Sequence, residues 1–211
     1  MRLFALAALS LAFASGVPNR EQVRLDPADQ AAARAAVLRR ADLGAGWTGG
    51  AKKPDPPSTL TCPGYEPKQS DLVLTGAAES RFQHTGLVLQ TDAQVLKTRA
   101  MVARDWRRSV VDPRASSCFR HMLTRQLPAG ESLVSFKRRA FPHLAQYAAA
   151  YRMLVRVRAA GQSLLVVIDL VQVGRSRTEL TLTMSAPVAA RAAIAAAEVR
   201  VARTLLARVR V

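Results

Sequence analysis

Residues 151–173, YRMLVRVRAAGQSLLVVIDLVQV, decide the fold. In the first part of this stretch apolar residues alternate with arginines, so one side of a strand faces a core and the other faces water or a ligand. The last part is almost wholly apolar, which is typical of a central strand. Ala160-Gly161 separates the two parts and indicates a hairpin turn. The stretch therefore predicts two neighbouring antiparallel strands inside a sheet.

A single acid, Asp169, interrupts the apolar strand, where an unpaired carboxylate would be costly. If the hairpin turns at Ala160-Gly161, Arg152 lies directly opposite Asp169, and a cross-strand ion pair would satisfy the charge. A functional alternative makes Asp169 a pocket acid among Arg152, Arg156 and Glu179. Both interpretations place charged side chains on one face of the sheet.

Further strands are predicted on both sides of this hairpin, two of them within 78–96 and one each at 132–141 and 178–184. The register of the last strand stays open. Either a threonine, Thr181 or Thr183, or Leu182 lies opposite Asp169.

Three helices are predicted. The first starts at a capping Asp26 with Pro27 at the first helical position and ends near Gly44. The second covers about 97–111, and the third lies in the Ala/Arg-rich C-terminal segment. Because strands and helices are segregated, we expect an α+β fold: an antiparallel β-sheet of about six strands flanked by an N-terminal, a middle and a C-terminal helix.

The N-terminus has the layout of a secretory signal peptide. Arg2 precedes an apolar or small run that ends in Ala12-Phe13-Ala14. The run is too short to span a bilayer, which takes about 20 residues, and an N-terminal core helix is the alternative. We expect residues 1–16 to be a signal peptide and residues 17–211 to be a single secreted or extracytoplasmic domain, with no transmembrane segment once the leader is removed.

Cys62 and Cys118 are the only cysteines. In an oxidising compartment they most simply form one disulfide, and closing a segment of 56 residues would contribute about 4 kcal/mol of stability. The disulfide would fasten the Pro/Gly-rich segment 44–71, which is predicted to be a long loop. The alternative is a catalytic Cys118 with His121 as its partner. No metal site is expected, because CxxC spacing is absent and the three histidines are scattered.

The formal net charge is +16, from 31 Lys and Arg against 15 Asp and Glu. A strongly cationic exported protein is attracted to anionic cell-envelope polymers, lipid headgroups or nucleic acid. Specific nucleic-acid binding is not expected, because only 5% of the residues are aromatic and no stacking platform accompanies the basic residues. The candidate ligand-binding residues are Arg152, Arg156, Arg158 and Asp169, whose guanidinium forks suit an anionic ligand.

Motifs for catalysis are missing from the sequence. It contains no GxSxG elbow, no Gly-rich phosphate loop and no HExxH, so no catalytic residue and no cofactor is expected. We expect a non-catalytic binding or sensor-type domain for an anionic envelope ligand. One alternative is a secreted hydrolase that uses His121 or His143 with a nearby serine. The other is a scaffold or partner-docking protein, which a large exposed apolar patch would favour.

Several short stretches, taken in order, carry a resemblance to a known group. They are ADLGAGWT (41–48), CPGYEP (62–67), AESRFQHTGLVLQTDAQVL (78–96) and ARDWRRSV (103–110), followed by Cys118, four strands and an Ala/Arg helix. This order resembles the small secreted sensor-type domains of actinobacteria, similar to the PknH-like kinase extracellular domain within the PsbP-like group of α/β sandwiches. The resemblance implies an antiparallel sheet flanked by helices and a ligand-binding cleft, with no catalytic residues. Those kinase domains carry two disulfides, whereas this chain can form only one.

Overall fold

The computed structural model describes residues 19–55, 60–159 and 162–209, so the predicted signal peptide, residues 1–16, lies outside the described residues. The strands are β1 (Gln22–Val23), β2 (Thr48–Lys52), β3 (Val73–His84), β4 (Leu87–Leu96), β5 (Glu131–Arg139), β6 (Tyr147–Ala159), β7 (Gln162–Arg175) and β8 (Thr178–Pro187). The α-helices are α1 (Pro27–Ala36), α2 (Arg99–Trp106), α3 (Pro113–Gln126) and α4 (Arg191–Leu206).

All these strands belong to one sheet in the order β1-β3-β4-β8-β7-β6-β5, with β2 also paired to β3. Neighbouring strands are antiparallel except β1 and β3, which are parallel, so the sheet is mixed. The α+β class is confirmed, but the sheet has eight strands rather than about six. The two additional strands, β1 and β2, are short, and β2 lies in the segment predicted to be a loop. Gly49 permits this pairing, because a Cβ at its position would lie 2.2 Å from the Arg81 carbonyl oxygen.

The predicted hairpin is confirmed, with Arg152 directly opposite Asp169 across β6 and β7. On the other side of β7 the residue opposite Asp169 is Met184, so neither the threonine nor the Leu182 register is correct. A two-residue turn sets this register, because Arg175 pairs with Thr178 and Ser176 adopts a positive φ of 57°.

The first helix begins as predicted. The Asp26 carboxylate accepts hydrogen bonds from the amides of Ala28 (2.9 Å) and Asp29 (3.1 Å). It ends at Ala36 and not near Gly44, because the next two residues run extended into the core. There the Leu38 amide donates to the Thr91 hydroxyl at 3.0 Å, a bond that a continued helix could not make.

The middle helical segment is longer than predicted. After α2 a wider π turn covers Arg107–Val111, and α3 follows directly. Asp112-Pro113, which directly follow the predicted second helix, start α3: the Asp112 carboxylate accepts a hydrogen bond from the Arg114 amide at 2.9 Å. The described ranges therefore contain four α-helices, where the sequence predicted three.

Helices cover both faces of the sheet. The main core packs α1 and α4 against one face, with Ala33, Ile194, Leu205, Leu180 and Leu182 all buried. On the other face, the π turn and α3 pack against β5, β6 and β7 in a smaller cluster. None of the helices within the described ranges is long and apolar enough to cross a membrane.

Candidate functional site

A cavity of about 260 Å³ lies between the sheet and the segment formed by α2, the π turn and α3. Its charged lining is acidic throughout, and we call these groups the cavity carboxyls: Glu21, Asp92, Asp105 and Glu179. Amide side chains and aromatic rings complete much of the lining: Gln69, Gln94, Gln172, Trp106, Phe119, Phe136 and Tyr151. Within the described part of the chain, no Lys, Arg or His side chain lines this cavity.

The alternation of two central strands forms the polar floor of the cavity. β4 and β8 are neighbours, and their register pairs Asp92 with Thr181 and Gln94 with Glu179. Because side chains alternate along a strand, the residue between Glu179 and Thr181, Leu180, points to the opposite, core face. Polar side chains on two adjacent strands thus come together on one face.

The remaining acids come from outside the central strands. Asp105 lies in the last turn of α2, and Glu21 directly precedes β1. Gln69 belongs to the loop before β3. The cavity therefore lies where a helix, the segment before β1 and the loop before β3 meet the sheet.

Aromatic rings form a continuous wall on one side. Phe136 of β5 stacks on Tyr151 of β6 with ring centres 5.3 Å apart, and Phe119 of α3 meets Phe136 edge-on at 5.6 Å. This wall places apolar ring surface beside the carboxyl groups.

The predicted disulfide between Cys62 and Cys118 is confirmed, with Cα atoms 5.6 Å apart. It joins the loop that carries Gln69 to α3, and the Tyr65 hydroxyl in the same loop donates a hydrogen bond to the Arg108 carbonyl. The alternative of a catalytic Cys118 is wrong, because its sulfur is bonded to Cys62. The disulfide instead holds one wall of the cavity in place.

The cavity carboxyls hold their protons more tightly than free acids do. Burial raises the pKa of Glu21 to about 7, and the nearby Asp105 adds to the rise. Burial, and then the charge of Glu79, raise the pKa of Asp92 to about 6. Burial also raises the pKa of Asp105, and burial together with Asp105 and Glu21 raises the pKa of Glu179 well above its usual range. Near neutral pH Glu21 and Asp92 are therefore only partly ionised.

The predicted ligand-binding residues lie on the other face of the sheet. Asp169 is fully buried, and it accepts hydrogen bonds from the Arg152 guanidinium, one of them at 2.6 Å. Arg139 and the fully buried Glu198 of α4 complete the group. We call Arg139, Arg152, Asp169 and Glu198 the arginine-paired cluster. Burial acts to raise the pKa of Asp169, but its hydrogen bonds and the Arg139 charge outweigh burial and lower the pKa.

The structure separates the residues that the sequence grouped with Asp169. Glu179 lies in the cavity on the opposite face, so a pocket that combines Asp169 with Glu179 is wrong. Arg156 is half-buried and Arg158 is exposed on the strand of Arg152. Within the described part of the chain, neither Arg156 nor Arg158 forms an ion pair.

Histidine and metal chemistry find no geometric support in the described residues. Neither His121 nor His143 hydrogen-bonds to a serine there; His121 lies in a shallow groove beside the disulfide. The same residues contain no group of three or more His, Cys, Asp or Glu side chains that could hold a metal ion.

Sequence reasoning missed the cavity carboxyls, although a signal was present. Gln90, Asp92 and Gln94 alternate along one predicted strand, as Glu179 and Thr181 do along another. Polar residues at alternate positions normally face solvent. A strand near the centre of the sheet with this pattern therefore indicates a cavity lined by polar side chains. The sequence did not show that the two strands are neighbours.

No protein-family model matches the chain, and no curated protein matches it significantly. Among solved structures, PA94, a protein of unknown function from Pseudomonas aeruginosa, aligns with 53% of this chain and 70% of its own chain, at 15% sequence identity and a TM-score of 0.29. A likeness of this size carries no argument about function.

Proposed function

We propose that this protein is an exported, non-catalytic ligand-binding domain of the sensor type, and that its ligand occupies the cavity between the sheet and helices α2 and α3. The observation that carries the proposal is the lining, where carboxyl, amide and aromatic side chains converge on about 260 Å³. Small-molecule sites usually combine apolar walls with a few convergent polar groups. The volume lies just below the roughly 300 Å³ at which drug-sized pockets begin, so it suits a small ligand.

The elements around the cavity are held rigidly, as a binding site requires. Its floor is formed by central strands of the sheet. Its helical wall is anchored twice to the preceding loop, by the Cys62–Cys118 disulfide and by Arg108, which donates to both Asp71 oxygens at 2.7 and 3.0 Å. The side chains and loops of a rigid pocket lose little conformational entropy when a ligand binds.

An extracytoplasmic location is supported by the disulfide, since such bonds persist in oxidising compartments, and by the signal-peptide pattern of residues 1–16. The resemblance to PknH-like kinase extracellular domains remains a prediction. Mass spectrometry of the exported protein, unfolded in alkylating reagent, tests the location. We expect the leader to be absent and neither cysteine to be alkylated. A retained leader or alkylated cysteines would contradict export.

A thermal-shift panel tests the binding function. Small cations, neutral compounds and anions are added to the purified mature chain, and the melting temperature is measured. We expect one class to raise the melting temperature, and Ser116→Phe, which fills the cavity from α3, to abolish the rise. Ser117→Phe on the exposed side of α3 is the matched control and should keep the rise. A panel without any shift, or a shift that survives Ser116→Phe, would refute the proposal.

A second candidate function is contact with an anionic envelope polymer or lipid headgroups. It is favoured by the net charge of +16 and by Arg156 and Arg158, whose guanidinium groups make no ion pair among the described residues. Such contacts depend on salt, because they act through exposed charge. This surface and the cavity can work together, since they lie on different parts of the molecule.

Retention on a dextran sulfate column tests this second function. Arg156→Ser/Arg158→Ser should elute at lower salt than the control Arg200→Ser/Arg203→Ser, which removes the same charge from the exposed side of α4. Equal elution of the two variants would show that retention reflects net charge alone.

A further inference from the structure

Resting on the proposed function, we propose that the ligand of the cavity is an organic monocation, with an ammonium group held by Asp105 and Glu179 and its hydrocarbon part against the aromatic wall. The proposal reverses the charge expected from the sequence as a whole. The chain has about twice as many basic as acidic residues, yet the charged side chains that line this cavity among the described residues are all acids.

Several other carboxylates of this fold that are shielded from solvent are paired with an arginine. Asp29 accepts from Arg177 at 2.6 and 2.9 Å, and Asp71 is bonded to Arg108 in the same two-pronged way. The arginine-paired cluster follows the same rule. In this chain a carboxylate with a structural role is thus commonly matched by a guanidinium.

Glu179 departs from that rule. Its Oε1 atom is shielded from solvent and accepts no hydrogen bond from the described residues. Its neighbour is the Asp105 carboxyl, another acid, with which it can share a proton. A buried acceptor without a donor is costly, and a cationic ligand in the cavity would supply a donor to this atom.

The nearby cations are already engaged. Arg108, the basic group that acts on Asp105, is held by Asp71. Lys52 contacts Glu79 at 2.9 Å and Asp55 at 3.0 Å. Glu79 in turn lies opposite Asp92 in the register of β3 and β4. Neither Arg108 nor Lys52 lines the cavity. Among the described residues no basic side chain lines the cavity, so a positive charge inside it would come from a ligand.

The aromatic wall favours an organic cation. Ammonium groups are attracted to the faces of aromatic rings, and the attraction grows when water is excluded. Trp106, Phe119, Phe136 and Tyr151 supply such rings beside the acids. A bare metal ion would gain nothing from this wall, and the described acids do not converge as metal ligands do.

Protons and the cation compete for the same oxygens. Burial raises the pKa of Asp105, Glu179 and Glu21, and the charge of Asp105 adds to the rise at the other two. At Asp105 the hydrogen bond with Glu179 and the Arg108 charge oppose the rise. A bound ammonium group favours the ionised carboxyls, so binding releases protons. Cation affinity is expected to rise as the pH increases from about 6 to 8, through the pKa of Glu21 at about 7.

Isothermal titration calorimetry of the mature chain at pH 8 tests the charge. The probes are choline and its uncharged isostere 3,3-dimethylbutan-1-ol, together with phenethylammonium. We expect the cations to bind at least tenfold more tightly than the neutral isostere. Glu179→Gln and Asp105→Asn should each lower the affinity for the cations at least tenfold and leave the affinity for the neutral compound unchanged. Glu131→Gln, an acid outside the cavity lining, is the control and should change nothing.

Proton release is measured in two buffers with different heats of ionisation, and it should be positive at pH 7 for the cations only. Thermal unfolding is measured on the same preparations. If Glu179→Gln or Asp105→Asn does not melt cooperatively, the other of these two variants is used. If the neutral isostere binds as tightly as choline, or if Glu179→Gln keeps the affinity for the cations, the inference is overturned. If neutral or anionic compounds then bind, and Ser116→Phe abolishes their binding, the proposed binding function still holds. If no class of compound binds, both the proposed function and this inference are refuted.

Discussion

The two faces of the sheet bury acids in opposite ways. Under α4, the acids of the arginine-paired cluster are held by guanidinium groups at hydrogen-bond distance. Under α2 and α3, the cavity carboxyls surround an open space, and none of the described residues that line it is basic. Both groups lie in one fold with the same excess of positive charge.

The difference teaches that local pairing, and not net charge, determines what a buried acid does. In the arginine-paired cluster Arg152 keeps Asp169 ionised and ties β6 to β7, whereas burial and the neighbouring Asp169 raise the pKa of Glu198 to about 8. In the cavity, burial and like charges keep protons on the acids. Guanidinium groups lower the pKa of Asp169, whereas no basic side chain among the described residues does so for Glu179, where we propose that a ligand supplies the positive charge.

The largest expected effect concerns the covalent bond on the cavity side. Cys62→Ser/Cys118→Ser should lower the free energy of unfolding by about 4 kcal/mol, because the open chain gains entropy when the link is lost. Urea unfolding measures the loss. Hydrogen exchange should show faster exchange in α3 and not in α4, which the disulfide does not touch. Equal acceleration in both helices would show that the cavity side is not held separately.

Breaking the arginine-paired cluster comes next. Arg152→Leu should lower the free energy of unfolding by about 3 kcal/mol, because it leaves the buried Asp169 carboxylate without its main partner. The loss is near the lower end of the usual range because Arg139 remains 3.5 Å from Asp169. Arg156→Leu on the same strand is the control and should change stability by less than about 0.5 kcal/mol. Urea unfolding at pH 7 measures both. Similar losses in the two variants would contradict a special role for Arg152.

Removing a charge should act with opposite sign on the two faces. At pH 8, Asp169→Asn should lower stability by about 2 kcal/mol, since it weakens charge-assisted hydrogen bonds. Glu179→Gln should raise stability by about 1 kcal/mol, since it removes a buried acid that resists ionisation. Parallel urea titrations measure the two changes, and the same sign in both would refute the comparison.

The last prediction concerns the dependence of stability on pH. The pKa of Glu21 rises from 4.5 to about 7 on folding, and that of Glu198 rises to about 8, through burial first and Asp169 second. The folded state therefore binds more protons, and the free energy of unfolding should fall as the pH rises from about 4.5 to 8. Glu21→Gln should flatten the fall below about pH 7, and Glu198→Gln the part up to about pH 8. Stability that increases over this range would contradict the raised pKa values.

Much of the fold could be predicted because its signals are local. The alternation of 151–158, the apolar strand and the turn between them specify a hairpin, and the turn position alone places Arg152 opposite Asp169. The Asp26 cap and the single possible cysteine pair are equally direct. Short elements such as β2 and the start of α3 were missed, because weak local preference there is overridden by pairing and capping in the folded chain.

The sequence by itself determined the α+β class, the central hairpin and its ion pair, and the disulfide, since each depends on residues that are close together or on a choice with one solution. Only the tertiary structure decided the site. Glu21, Asp105 and Glu179 are far apart along the chain, and they meet because β4 lies beside β8 and because α2 is held over that face. Whether a carboxyl is paired or left facing a cavity depends on these long-range neighbours, which no local pattern specifies.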